Sequence, residues 1–311
     1  MICENIVLGA GTEFPLKGVL TLPDSSAGPV PAVVLVHGSG SSNMDEKVMK
    51  LTPFRDLAEG LAERGVASLR YDKRSFTHGL KMIRDKSTPI TVKQETTCDA
   101  ILAAELLRQD ARIDSGRIYI IGHSMGGMLA PRIDAEGGNF AGLILLAGSP
   151  RPMEVILREQ TAEMLECMPA FVRKMTKKKV DRLLAGFDGL YDMTDEEAKA
   201  KKYGGGVTMY YFKEMGEHPA PDYLAKSEKP MLVLQGEADF QVKADRDFRQ
   251  YKELLGDRDN VVFRLYPGLN HCFVPTLGMN IANAKKEYSK ERHIPAEVLD
   301  DVAEWIKQDQ K

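Results

Sequence analysis

No apolar run in this chain approaches the roughly 20 residues that a helix needs to cross a bilayer, so a helical membrane span is not expected. Cysteine is scarce. Cys3, Cys98, Cys167 and Cys272 are scattered without any C-x-x-C spacing, which gives no sign of a disulfide framework. The first residues, Met1-Ile2-Cys3-Glu4-Asn5, lack the basic-then-apolar pattern of a secretory signal, and a reduced cytoplasmic compartment is the expected location. An excess of charge of either sign is also missing. A formal net charge of -3 at pH 7 makes no electrostatic case for nucleic acid or an acidic membrane surface as partner. With 311 residues and 43% hydrophobic content, the chain can bury one large core and still carry an insertion.

Apolar runs and helical patterns alternate along most of the chain, as in a mostly parallel sheet covered by helices on both faces. Residues 2–22 read as two antiparallel strands joined around Gly9 to Pro15. Thr52-Pro53 opens a helix that presents Phe54, Leu57, Ala58 and Leu61 on one face before Gly65 stops it. Thr91 with Gln94 forms the pattern of a capping box for a second helix reaching about Gln109. Pro131 falls inside the helix that begins at Met125, removes its hydrogen bond to the Gly127 carbonyl and is expected to bend it. A last helix, from Pro295 to about Lys307, offers Val298, Leu299, Val302, Trp305 and Ile306 to the sheet.

The most informative segment is Gly122-His123-Ser124-Met125-Gly126, which follows the apolar run Ile118-Tyr119-Ile120-Ile121 and opens a helix. A G-x-S-x-G turn between strand and helix holds its serine in a strained, exposed position, and the two glycines let strand and helix pass closely. A serine hydroxyl attacks only when a base removes its proton and an acid orients that base. Both should lie just after later strands of the same sheet. His271 meets this requirement, since Val261-Val262-Phe263-Arg264-Leu265-Tyr266 precedes it. His37 is expected to brace a loop, His123 to pack within the turn, and His78, His218 and His293 follow no strand.

The acid is sought after the run Met231-Leu232-Val233-Leu234-Gln235-Gly236, where Asp239 is favoured over Glu237, nearer the glycine, and Asp245, expected inside the next helix. Asp72 ends another strand and is expected to tie down backbone N–H groups or to pair with Lys73 or Arg74. The oxyanion formed on the attacked carbonyl needs donors. The N–H of Met125, at the start of the helix, and that of Ser39, within His37-Gly38-Ser39-Gly40, are the candidates.

Taken in order, the oxyanion segment His37-Gly38-Ser39-Gly40, the elbow, Asp239 and His271 resemble the α/β-hydrolases across nearly the whole chain. Leu69-Arg70-Tyr71-Asp72-Lys73-Arg74-Ser75 and the two later loop endings resemble carboxylesterases of the cinnamoyl and feruloyl type, with serine peptidases and dienelactone hydrolases as relatives. The resemblance implies an α/β-hydrolase core over residues 1–150 and 229–311 and an inserted helical cap over 151–228. It implies hydrolysis of small to medium hydrophobic or aromatic acyl esters through Ser124, His271 and Asp239, with no metal or organic cofactor. Acyl thioesters and small peptides are the alternative substrates, and a non-catalytic binding protein is the alternative of another class. Nearly half of the chain's 15 methionines fall in the cap, as core filler or as the lining of an adaptable pocket. Lys177-Lys178-Lys179 reads as a solvated helix face, Gly204-Gly205-Gly206 as a flexible joint, and Cys272 as a small buried residue. Lys73 and Arg74 would meet a substrate carboxylate if they faced the cleft. An exposed cap or sheet edge would serve for a homodimer.

Overall fold

The computed structural model describes residues 1–24, 28–85 and 87–308. Antiparallel strands β1 (Ile2–Leu8) and β2 (Leu16–Leu22) lead into β3 (Val30–Val36), α1 (Pro53–Glu63), β4 (Ala67–Tyr71), α2 (Arg74–Arg84) and α3 (Cys98–Arg108). Next come β5 (Ile113–His123), α4 (Met125–Ile133) and β6 (Leu143–Leu146). A mainly helical stretch follows: α5 (Met153–Glu166), α6 (Ala170–Leu184), α7 (Asp195–Ala200), β7 (Lys202–Gly204), β8 (Val207–Thr208), α8 (Met209–Gly216) and α9 (Ala220–Lys226). The chain then returns through β9 (Met231–Gly236), α10 (Arg249–Leu255), β10 (Val261–Tyr266), α11 (Ala284–Glu287) and α12 (Ala296–Gln308).

Eight strands form one sheet in the order β1-β2-β4-β3-β5-β6-β9-β10, parallel from β4 to β10. Parallel strands covered on both faces read as unbroken apolar runs, and β3 shows why. Val34 and Val36 join the core that includes residues of α3 and α4, while Val33 and Leu35 join the core that includes residues of α1 and α12. The expected architecture, a mostly parallel sheet between helical layers, is the one observed. Among the described residues, no helix is long and apolar enough to cross a membrane.

Two local expectations are corrected. The Thr91 hydroxyl does accept from the Gln94 N–H at 3.4 Å, but residues Lys93–Thr97 wind as a wider π-turn before α3 begins at Cys98. Gly204-Gly205-Gly206 is not an open joint. All three adopt positive φ (157°, 59° and 87°): Gly204 ends β7 and pairs with Val207, and Gly205-Gly206 turn the chain into β8, a reversal that side-chain-bearing residues resist. Lys177, Lys178 and Lys179 are exposed on α6, as their charge demands.

Candidate active site

The parallel registers bring four chain reversals to one edge of the sheet. Val36 pairs with Gly122, His123 with Leu146, Leu146 with Leu234 and Gly236 with Tyr266. The loops that follow therefore carry His37 to Gly40, Ser124, Asp239 and His271 on the carboxyl side of the strands, where open α/β sheets place their ligands.

Ser124 stands between β5 and α4 with φ 54° and ψ -117°, a conformation that costs a side-chain-bearing residue roughly 1–3 kcal/mol. Its N–H donates to the Leu146 carbonyl at 2.8 Å, which fixes the turn to the neighbouring strand. The half-buried hydroxyl does not cap α4 and, among the described residues, forms no hydrogen bond in this arrangement. The flanking glycines are sterically required. A Cβ on Gly122 would sit 2.2 Å from the Gly126 carbonyl oxygen, and one on Gly126 would sit 2.2 Å from that of Val36. Gly126→Ala is therefore expected to cost about 3 kcal/mol or more, because backbone on both sides must move. Urea unfolding measures this, and an unchanged midpoint would mean that strand and helix separate freely.

Asp239 and His271 meet directly. His271 Nδ1 lies 2.7 Å from Asp239 Oδ2, with both side chains buried. The other carboxylate oxygen, Oδ1, accepts the N–H groups of Gln241 at 2.7 Å and Val242 at 3.0 Å, while Gln235 Nε2 donates to Oδ2 at 3.1 Å. Asp239 is thus held at both carboxylate oxygens. Gly236 permits the approach of the two loops, since a Cβ there would lie 2.4 Å from the Leu269 carbonyl oxygen. Of the competing acids, Glu237 and Asp245 are both exposed. The His271 ring reaches the elbow through His123, whose ring centroid is 4.7 Å away and whose Nε2 is 2.9 Å from the His271 carbonyl oxygen.

The other histidines have local partners. His37 is buried against Phe54 and Tyr71 with Nε2 3.0 Å from the Asn43 carbonyl oxygen, and burial pushes its pKa down to about 4. His123 Nδ1 lies 2.8 Å from Glu46 Oε2, outside good hydrogen-bond alignment but close enough for an ion pair. Burial works to lower the His123 pKa, and the Glu46 carboxylate outweighs it, so the net shift is upward. His78 meets the Pro15 carbonyl oxygen, His218 the Tyr223 hydroxyl and His293 the Asp56 carboxylate.

In the loop after β3, Gly38 is pressed against the elbow, and a Cβ there would come within 3.1 Å of Ser124 Cβ. Ser39 follows it at the exposed mouth of the loop, and Met125 is buried at the first turn of α4. Asp72 holds the same loop by accepting the Met44 N–H at 2.8 Å. The basic pair after it does not face a substrate carboxylate. Lys73 is buried with Nζ on the Gly38 carbonyl oxygen at 2.8 Å, and Arg74 pairs with Asp99, its Nε 3.0 Å from Oδ2.

Sequence reasoning missed Glu46, Glu95 and Tyr211. Glu46 Oε1 accepts the Gly38 N–H at 2.7 Å, while Glu95 Oε2 accepts the Tyr211 hydroxyl at 2.8 Å and lies 3.6 Å from Lys73 Nζ. No local signal marks these carboxylates, because their partners lie far away in the chain or in a loop without regular structure. Cys272 is buried, and all four cysteines are free. Among the described residues, no group of three or more His, Cys, Asp or Glu side chains is arranged to hold a metal ion.

This sheet, strained turn and loop cluster define an α/β-hydrolase, and a profile of the alpha/beta hydrolase family matches residues 33–277: the chain belongs to that family. Among characterised relatives, it is 32% identical over 291 residues to Esterase EstD of Thermotoga maritima, a match covering 94% of this chain and 65% of that protein. The chain therefore spans somewhat less than two thirds of that relative's length. Among solved structures, it is similar to Est1E from Butyrivibrio proteoclasticus, with a TM-score of 0.56, 16% identity and 98% of each chain covered. It is also similar to a proline iminopeptidase of Mycobacterium smegmatis, with a TM-score of 0.59, 16% identity and 98% of each chain covered. At such identities, the last two report the fold.

Proposed function

We propose that this protein is a serine carboxylesterase in which Ser124 attacks the ester carbonyl, His271 takes the hydroxyl proton and Asp239 orients the imidazole. The N–H groups of Ser39 and Met125 receive the oxyanion, the alcohol departs with the proton from His271, and water repeats the cycle on the acyl-enzyme. The observation that carries this reading is the buried 2.7 Å Asp239–His271 pair, placed beside the positive-φ turn of Ser124. The similarity to Esterase EstD supports ester bonds as the target.

Residues 151–228 act as a cap over the serine. Tyr211 of α8 supports this, with its hydroxyl 3.7 Å from Met125 Sδ beside the nucleophile. Arg132 of α4 also pairs with Glu214 of α8. Met153 and Met215 meet Met128 and Leu129 around a cavity of about 30 Å³, room for a water or a methyl group. These methionines pack the cap onto the elbow helix. Tyr211 of α8 beside Met125, with Phe212 packed against it, favours small to medium hydrophobic or aromatic acyl groups. A hydroxycinnamoyl group is one such acyl, and a structure of Est1E holds ferulic acid. Four free cysteines fit a reducing compartment.

The test is a panel of p-nitrophenyl esters of increasing chain length, methyl hydroxycinnamates, an acyl thioester and aminoacyl anilides, together with labelling by a fluorophosphonate. Esters are expected to turn over fastest, and the label is expected on Ser124. Preferential thioester or anilide cleavage would reassign the substrate, and an unlabelled Ser124 would point to a binding protein.

A further inference from the structure

A buried ammonium lies directly behind the loop assigned above to the oxyanion. The Lys73 side chain is only 2% exposed. Taking such a charge out of water is unfavourable unless acceptors meet it at close range. Nζ donates to the Gly38 carbonyl at 2.8 Å and stands 3.6 Å from Glu95 Oε2. Burial lowers the Lys73 pKa from its ordinary value, and the Glu95 and Glu46 carboxylates oppose that shift. On the other side of Gly38, its N–H donates to Glu46 Oε1 at 2.7 Å. Ionisable side chains therefore grip both peptide units that flank Gly38.

The Gly38 carbonyl and the Ser39 N–H belong to one peptide unit. That unit is trans, as are all described peptide bonds, so its C=O and N–H point in opposite directions. A donor fixed at the oxygen therefore fixes where the N–H points. A cationic donor also draws electron density toward the oxygen and leaves the N–H a stronger donor, as hydrogen-bonded chains polarise one another. Glu95 in turn accepts from Tyr211 of α8, whose hydroxyl also lies beside Met125 Sδ, so the grip extends from the oxyanion loop to the helical insertion.

We propose that Lys73 is a positioning residue that aims and polarises the Ser39 N–H toward the oxyanion. This inference rests on the ester-hydrolase reading of Ser124 and the loop. Since Lys73 acts through the peptide unit, it should stabilise the oxyanion more than the bound ester.

The experiment compares the wild type with Lys73→Met, using p-nitrophenyl butyrate as substrate and an alkyl trifluoromethyl ketone as oxyanion-forming inhibitor. The corresponding trifluoromethyl alcohol, which forms no adduct, is the ground-state control. Removing the ammonium is expected to lower kcat about 100-fold, the scale of losing one oxyanion donor, with KM within about threefold. Affinity for the ketone should fall by the same factor while affinity for the alcohol stays within about threefold. A merely structural lysine would weaken both ligands alike, and that result overturns the proposal, as does an unchanged kcat. Because Lys73→Met leaves Glu95 buried without its cation, the Lys73→Met/Glu95→Gln protein is measured in parallel. It should fold and show the same split between ketone and alcohol, whereas recovery of wild-type kcat would overturn the proposal. Ser124→Ala separates the two levels of inference. If it retains turnover, the esterase reading falls and this inference with it. If it is inert while Lys73→Met matches wild type, this inference alone falls.

Discussion

Ser124→Ala is expected to lower kcat for p-nitrophenyl ester hydrolysis on the order of 10⁶-fold while leaving the protein folded. Without the hydroxyl no acyl-enzyme can form, and what remains is the smaller acceleration that substrate binding and oxyanion donors give to direct attack by water. Folding should survive because the turn is fixed by backbone and glycines: Ser124 N–H bonds to Leu146, and the hydroxyl caps nothing in α4. Alanine inherits the strain at φ 54°, whereas glycine relieves it. Ser124→Gly should therefore be equally inactive but about 1 kcal/mol more stable than Ser124→Ala, a difference visible in thermal or urea unfolding. Equal stability of the two variants would show that the turn stores no usable strain. Turnover undiminished in both would remove Ser124 from the mechanism.

The parts of this molecule that were legible in its sequence are those set by short-range rules. Ala32 to Val36 and Ile118 to Ile121 read as strands because both faces of a parallel strand are buried, and the observed sheet buries every one of these side chains. The elbow was legible because close passage of strand and helix admits only glycine at positions 122 and 126, a constraint visible within five residues. Asp239 was preferred over Glu237 and Asp245 on position alone, and the fold exposes those two while burying Asp239 against His271. Lys73 was illegible for a different reason. A lysine after a strand ordinarily reaches solvent or a ligand, and nothing near it in sequence indicates that Gly38 and Glu95 will close around its ammonium. The Glu46–His123 pair is of the same kind, made by a loop residue whose neighbours follow no period. The triglycine was misjudged because glycine permits both a loose joint and a tight reversal, and only the pairing of β7 with β8 selects the second.

Asp239→Asn is expected to reduce kcat by about 10⁴-fold with little change in KM, and the hydrogen bonds around the carboxylate explain why. Oδ1 accepts from the N–H groups of Gln241 and Val242, so an asparagine there must keep its carbonyl oxygen on that side. Its NH₂ then takes the place of Oδ2, where it faces His271 Nδ1 and the donor Nε2 of Gln235. A donor at that point forces Nδ1 to become the acceptor, which leaves the proton on Nε2, the nitrogen that must receive the proton of Ser124. Rotating the amide does not help, because its NH₂ would then confront two backbone donors. The loss should therefore fall on the chemical step, and the remaining rate should rise with pH as hydroxide substitutes for the missing base. Steady-state kinetics against pH measures both effects, with Glu237→Gln and Asp245→Asn as exposed controls expected to retain wild-type rates. A tenfold loss or less in Asp239→Asn, or a large one in either control, would assign the orienting acid elsewhere.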